Sequence, residues 1–346
     1  MSNSQQTKLH DYNSEKSNRS PYVFIKLEPA KITHVYREYW RLAAKRQDIF
    51  FNKMNKKYPP WTDDHILKQY KFTNAYRASD RVSQYLIKNI IYSGPASIKD
   101  VFFRILIFKI FNKIETWEAL EKHVGEISYS NFNFEDYDAI LQSIIKNKKP
   151  IYSAAYIMAS GKSVFGFNRK HQNHLKMVES MMINDLPNKI LDSKSMQEAF
   201  SLIKSYPSLG DFLAYQYVTD INYSEITDFS ELEFVVAGPG AKSGIYKCFS
   251  DLGGLNETEI IKLMVDRQEQ EFERLGIEFK DLWGRKLQLI DCQNLFCEID
   301  KYSRVAYPEV KGLSDRKRIK QKYNPQKGQI DYWFPPKWGI NEAIKA

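Results

Sequence analysis

Cysteine is scarce in this sequence: Cys248, Cys292 and Cys297 are the only three in 346 residues. Three thiols cannot build a disulfide framework, and the spacing of Cys292 and Cys297 is not that of a zinc knuckle. With no histidine cluster beside them, they are expected as core thiols, with no metal. Long hydrophobic runs are missing as well. The most apolar stretch, Val101 to Phe111, is interrupted by Arg104 and Lys109 and is far too short to span a bilayer. Met1 to Ser20 is polar, has no apolar segment of the kind a secretory signal needs, and reads as a disordered tail. Period-two alternation is nearly absent, and no repeat of domain-building length occurs. Disulfide-built, secreted, membrane-spanning and β-rich classes are thereby set aside, leaving an intracellular helical protein.

What is present is aromatic and basic. Tyr and Phe number 22 and 21, and hydrophobic residues make up 43% of the chain, enough for a sizeable core. The formal charge is +9 and is unevenly laid out. Residues 1–60 hold 12 basic against 5 acidic side chains, 311–346 hold 9 against 3, and 195–310 hold 11 against 20. Basic ends around an acidic late middle fit a polyanion-binding face assembled from the termini, or simply solvated helix faces.

Apolar spacing of three and four predicts helices over Lys31–Lys57, Thr73–Tyr92, Ile98–Phe111 (capped by Ser97), Thr116–Val124, Phe134–Lys146 and Pro150–Ala159. Further helices are expected at His171–Ile183, Ser195–Lys204, Leu209–Thr219, Glu257–Leu275 and Leu289–Arg304. Ser163–Phe167 reads as a short hairpin arm. The helical body runs over 21–310 as two lobes divided near 160–195, and 311–346 reads as a basic tail that wraps without forming a helix.

Three segments invite chemistry. Gly161-Lys162-Ser163 resembles the end of a phosphate-binding loop, but the required earlier glycine is Tyr156 and a helix is expected where a strand should precede it. A turn in which Lys162 touches a phosphate is the modest alternative. Tyr206-Pro-Ser-Leu-Gly210 precedes an apolar helix, and Asp228 lies 18 residues beyond Gly210. This pattern resembles helix-hairpin-helix DNA glycosylases, where hairpin N–H groups hold a DNA phosphate and an aspartate follows at such a distance. Here the turn has one glycine rather than two. Third, Gly238-Pro-Gly240 makes a tight turn before a segment carrying Lys242 and Lys247; an ordinary interhelical turn is the plain alternative.

Four longer stretches then carry a family resemblance. They are Tyr76-Arg77-Ala-Ser-Asp80-Arg81-Val-Ser-Gln84, Phe103 to Trp117, Gly238-Pro-Gly-Ala241 and Asn294 to Arg304. Over about residues 30–310 the chain resembles proteins of DNA thymine hypermodification: the helical domain of 5-hydroxymethyluracil DNA kinases and the related alpha-glutamyl/putrescinyl thymine pyrophosphorylases. The resemblance implies an all-α, helix-hairpin-helix DNA glycosylase-like array. It also implies an enzyme acting on 5-hydroxymethyluracil, or its pyrophosphorylated form, in double-stranded DNA, with an extruded base. The kinases have a separate phosphate-binding-loop domain, so this stretch is expected to displace pyrophosphate with an amine or amino-acid co-substrate rather than act as an autonomous kinase. Base excision and non-catalytic recognition of modified DNA are the alternatives. A cytoplasmic setting in a bacterial or phage-infected cell follows, or a nuclear one in a eukaryote.

For such a site the first-choice pocket acid is Asp228, with Asp220 and Asn222 in reserve. Arg77, Arg81 and Gln84, expected on one helical face around Asp80, would meet phosphate or base edges, joined by Gly210, Gly238, Gly240, Lys242, Lys247 and Lys162. Glu298, Lys301 and Arg304, with Asp300, sit among apolar residues on the last long helix, where charge needs a reason. They form either a site or an internal ion-pair network. His171 and His174 read as a solvated helix start.

Overall fold

A computed structural model describes residues 27–324 and 330–345; the tail expected over 1–20 lies outside them. The chain is mainly helical. After a short strand, β1 (Lys31–Ile32), Thr33 caps α1 (His34–Met54) by accepting from the Val35 amide. Asp64 caps α2 (His65–Gln69), and a 3₁₀ turn (Arg77–Ser79) precedes α3 (Arg81–Tyr85) and a π-helical segment (Leu86–Ile91). Then come α4 (Ile98–Phe111), α5 (Ile114–Val124), α6 (Phe134–Lys146), α7 (Lys162–Phe165), α8 (Lys170–Ile183) and α9 (Leu186–Leu191). They are followed by α10 (Met196–Lys204), α11 (Asp211–Ile221), α12 (Pro239–Cys248) and β2 (Phe249–Asp251), which pairs antiparallel with β1. The last elements are α13 (Glu257–Arg274), α14 (Leu289–Ala306) and α15 (Asn341–Lys345).

Two packings position the rest. Helix α4, started by Ser97 accepting from the Asp100 amide, is apolar nearly all round and buried from Phe102 to its end. Its two cations are buried too. Arg104 donates to the carbonyls of Ile90 and Pro95, closing the end of the π segment, and Lys109 points toward α11. Helix α12 lies unusually close to α14. A Cβ on Gly244 would stand 2.0 Å from the Phe296 carbonyl oxygen, and one on Gly240 would stand 3.1 Å from Cys297 Sγ. Glycine is therefore required at 244 by helix packing.

Three expected elements differ. The single helix over 73–92 is broken: Asp80 turns back to accept from the Asn74 amide, and the Arg77 amide donates to Asp291 on α14. One local and one distant carboxylate thus take amides that a continuous helix would use internally. Residues 150–159 are irregular rather than helical, with Tyr156 left-handed at φ 56° and the Ser153 amide spent on the Phe111 carbonyl. The expected hairpin arm is instead α7, bracketed by left-handed Gly161 and Gly166. Beyond α14, residues 311–323 form a strap whose backbone pairs with Gln69 and Lys71. The last residues add the short α15, where no helix is expected from sequence, and Phe334 is fully buried.

Candidate functional site

The end of α11 is apolar enough to be buried, and it takes Asp220 into the interior. A lone carboxylate there would be untenable. Two cations meet it: Arg77 Nη2 stands 2.6 Å from Oδ1, and Lys109 Nζ stands 2.6 Å from Oδ2. The remaining guanidinium edges are used as well. Nη1 donates to the Tyr223 hydroxyl at 3.0 Å and Nε to Gln216 Oε1 at 3.1 Å. The Gln216 amide nitrogen is buried and has no partner. Burial opposes the Arg77 charge, but Asp220 together with Tyr223 and Tyr156 outweighs it and raises its pKa well above the usual range. Burial lowers Lys109 to about 8; Arg77 adds to the fall and Asp220 opposes it. Two cations on one carboxylate leave an excess of positive charge in a dry place. Asp291, which accepts from the Arg77 amide, is itself pushed up to about 7 by burial and offsets only part of that excess. Such a site favours an incoming anion or a strong acceptor.

One aromatic ring roofs the cluster. Tyr156 sits 4.2 Å above Lys109 Nζ, feels the Arg77 charge, which opposes the rise that burial imposes on its hydroxyl pKa, and stacks on Phe212 with centroids 6.0 Å apart. Phe212 can lie there because Gly238 has no Cβ; one would approach the ring to 2.5 Å. The loop carrying Tyr156 is tied at both ends by His174. Its Nε2 faces the Ala159 carbonyl at 2.7 Å and its Nδ1 faces the Tyr152 hydroxyl at 2.9 Å. Burial holds His174 down at about 4, so the ring is neutral and takes both roles at neutral pH. Beside the loop runs an open groove of about 430 Å³, lined in part by Lys149, Tyr152, Arg169 and Lys170.

The candidates named from sequence divide sharply. Asp220 and Arg77 come together at this site, although Arg77 is buried in the 3₁₀ turn and not on an outward helix face. Asp228 does not face a pocket: its side chain is 89% exposed, with Lys337 3.8 Å away. The cause is Asn222, whose amide organises the turn by binding Thr227 and Phe229 and so turns residue 228 outward. Gln84 is buried, donating to the Ala78 carbonyl and accepting from the Trp333 amide, which removes it from DNA contact. Lys247 is also buried. Its three protons go to Asp300 Oδ1, the Asp300 carbonyl and Ser303 Oγ. Gly240 is spent on helix packing, and Gly238 seats Phe212. Gly210 caps α11 in the open, Arg81 is exposed, Lys242 lies 3.9 Å from Glu257, and Lys162 binds Asn168. Of the two readings of α14, the ion-pair network is the one seen. Glu298 accepts from the Thr73 amide and pairs with Lys301, and Arg304 pairs with Asp300. The histidines are likewise buried rather than solvated, His171 against Asp138.

Lys109, Tyr156, Tyr223 and Gln216 were missed from sequence. Lys109 carried a signal, being a cation inside an otherwise apolar helix.

A second feature lies on the surface. The strap exposes Arg316, Lys317, Arg318 and Lys320, and its Tyr323 and Lys322 stack with Lys53 of α1 (5.0 Å) and Tyr70 (4.4 Å). Exposed Lys56, Lys57, Lys68 and Lys71 flank it. The result is a basic face with interleaved aromatics, as nucleic-acid surfaces require.

Residues 33–312 match the family model described as 5-hmdU DNA kinase, helical domain. Among curated proteins, the 5-hmdU DNA kinase of Bacillus phage SP10 is 27% identical over 339 residues, covering 90% of this chain and 52% of that protein. The chain therefore spans about half the length of this relative. No solved structure matches. The chain belongs to the 5-hmdU DNA kinase helical-domain family.

Proposed function

We propose that this member of the 5-hmdU DNA kinase helical-domain family binds DNA and presents 5-hydroxymethyluracil for modification of its hydroxymethyl group. The site around Asp220 takes the extruded nucleotide, and the strap face takes the duplex backbone. The observation that carries this reading is the pair of buried cations on Asp220 under a stacking aromatic. Charge that builds on the hydroxymethyl oxygen, or arrives with a phosphate, would be met there by Arg77 and Lys109 in a dry surrounding. Asp220 holds the two cations apart and in place, and Tyr223 and Gln216 orient the guanidinium.

The name of the phage relative makes phosphoryl transfer the first reading of the reaction, ahead of pyrophosphate displacement. This sequence carries no complete phosphate-binding loop, so the chain's own contribution is recognition and positioning. The nucleotide-binding part would come from elsewhere in the enzyme. The basic strap serves affinity and is blind to sequence, as phosphate contacts are.

The test is binding followed by product analysis. Duplexes differing by a single 5-hydroxymethyluracil or thymine are titrated with the protein, and about tenfold tighter binding of the modified duplex is expected, from one or two hydrogen bonds to the added hydroxyl. The same duplexes are then incubated with ATP and the protein, digested, and their nucleosides weighed. A nucleoside heavier by a phosphate supports transfer by the chain itself. Unchanged nucleosides with retained preference support presentation alone. Abasic sites, or equal affinity for the two duplexes, would overturn the reading.

A further inference from the structure

We infer that Tyr156 occupies the seat of the extruded pyrimidine, so that the ring of the substrate base replaces the ring of this tyrosine. The inference rests on the function proposed above and names the subsite within it.

Four observations converge on the seat. Tyr156 is a flat six-membered ring that stacks on Phe212 and has the Lys109 ammonium over its face. A pyrimidine offers the same face to both. The Arg77 charge acts on the tyrosine hydroxyl, and a ring carbonyl or the hydroxymethyl oxygen of the base would accept from the same guanidinium. Next to that guanidinium, Gln216 holds a buried amide nitrogen with no partner; an unmet donor of this kind costs stability unless something arrives to use it. A tyrosine brings one oxygen, whereas 5-hydroxymethyluracil brings two carbonyls and a hydroxyl. The base can therefore answer both Arg77 and Gln216, which the tyrosine does not.

The segment carrying the tyrosine is suited to leaving. Tyr156 has a left-handed backbone at φ 56°, an uncommon state for a residue with a large side chain. Its neighbour Ile157 is 77% exposed, and no regular element includes residues 152–160. Anchors at Ser153, through the Phe111 carbonyl, and at Ala159, through His174, bound the segment that has to swing. With the seat filled by the tyrosine, only the vacated fraction of molecules can bind an extruded base, and apparent affinity is reduced by that fraction.

The test uses the full chain with three duplexes, which carry thymine paired with adenine, 5-hydroxymethyluracil paired with adenine, and 5-hydroxymethyluracil opposite an abasic site. The last needs no unpairing. Removing the competing ring with Tyr156→Ala should tighten binding of the third duplex by roughly tenfold and leave the thymine duplex within about twofold, as expected when a mostly occupied seat is vacated. Tyr156→Phe keeps the ring and loses the hydroxyl, and should give a smaller gain on the same duplex. Thermal melting checks the fold of each variant, and added 5-hydroxymethyluracil base should raise the melting temperature of Tyr156→Ala but not that of the wild type. If wild type prefers 5-hydroxymethyluracil and Tyr156→Ala leaves that preference unchanged or weaker, the seat assignment fails while the function stands. If wild type shows no preference for 5-hydroxymethyluracil, both fall.

Discussion

Asp220 and Asp300 are two versions of the same electrostatic arrangement: each is buried, and each faces one lysine and one arginine. Their surroundings differ. At Asp300 the ammonium of Lys247 has three oxygen partners, Ser243 donates a further hydrogen bond to the carboxylate at 2.8 Å, and α12 is pressed onto α14 above it. At Asp220 the ammonium of Lys109 has one carboxylate oxygen and the face of a tyrosine, and a neighbouring glutamine nitrogen is unmet. The first arrangement is closed by the fold, whereas the second is completed by a side chain from an irregular loop. Burial of charge alone therefore does not mark a site. What distinguishes the two is whether hydrogen-bonding capacity remains unspent and whether something displaceable covers it.

The most severe way to break the comparison is to neutralise the two carboxylates in turn. Asp220→Asn leaves two buried cations without their counter-charge, Asp300→Asn does the same to buried Lys247 and partly buried Arg304, and each should lose about 3–5 kcal/mol in denaturant unfolding. Their functional consequences should separate. Folded Asp300→Asn is expected to keep its preference for a 5-hydroxymethyluracil duplex, whereas Asp220→Asn is expected to lose it. Equal loss of preference in both would mean that the two clusters are alike in function as well as in charge.

Glycine substitutions probe the same contrast more gently. Gly244→Ala puts a methyl group into the Phe296 backbone, which cannot yield, and should cost about 3 kcal/mol, at the upper end of overpacking effects. Gly238→Ala meets only the Phe212 ring, which can move; about 1 kcal/mol is expected from overpacking of that kind. Because Phe212 underlies Tyr156, Gly238→Ala should nonetheless change base preference, and Gly244→Ala should not. Urea titrations read the first quantity and duplex binding the second.

The titration of Lys109 gives opposite signs for stability and for binding. Its folded value of about 8 lies below the ordinary 10.5, mainly through burial. Between those two pH values the unfolded chain holds a proton that the folded one has released, so stability rises with pH across that window. The burial penalty is at its full size below pH 8. Binding of a base that relies on the ammonium should weaken over the same rise. Lys53 is also lowered to about 8 by burial, so the quantity to measure is the difference between wild type and Lys109→Met. A flat difference curve for stability from pH 7 to 10 would contradict the assignment.

Much of the frame was legible from residues. Ser97, Asn133 and Asn256 each accept from an amide three residues on, and α4, α6 and α13 start where those caps and the apolar spacing place them. The all-α class, the apolar α4 and the family resemblance followed from equally local signals. One failure was long-range. Nothing near residue 77 in sequence announces that Asp291 will take its amide and break a helix; the turn in which Asn222 directs Asp228 outward is local, but its hydrogen bonds cannot be told from spacing. Spacing selected the exposed aspartate over the buried one, because spacing does not register burial. The cations of α4 were read as interruptions of a hydrophobic run. The rule that buried charge needs a reason points to Lys109 as directly as it does to the charges of α14.

The smallest expected effect separates affinity from selectivity. The strap is clipped to the Asp300 side of the molecule: Ser243 reaches Ser314 at 3.4 Å, Arg304 donates to the Arg318 carbonyl at 3.3 Å, and Gly312 lies against Ser243. Its exposed cations have no part in the Asp220 cluster. Neutralising Arg316 and Lys317 together should lower the slope of log affinity against log salt by roughly 0.9 for each phosphate that is no longer neutralised. The change should be equal for thymine and 5-hydroxymethyluracil duplexes, because a phosphate contact carries no information about the base. A shift confined to the modified duplex would instead place the strap at the base itself and would merge the strap with the Asp220 site. An unchanged slope would remove the strap from the interface and leave the groove at Lys149, Arg169 and Lys170 as the backbone contact nearest Tyr156.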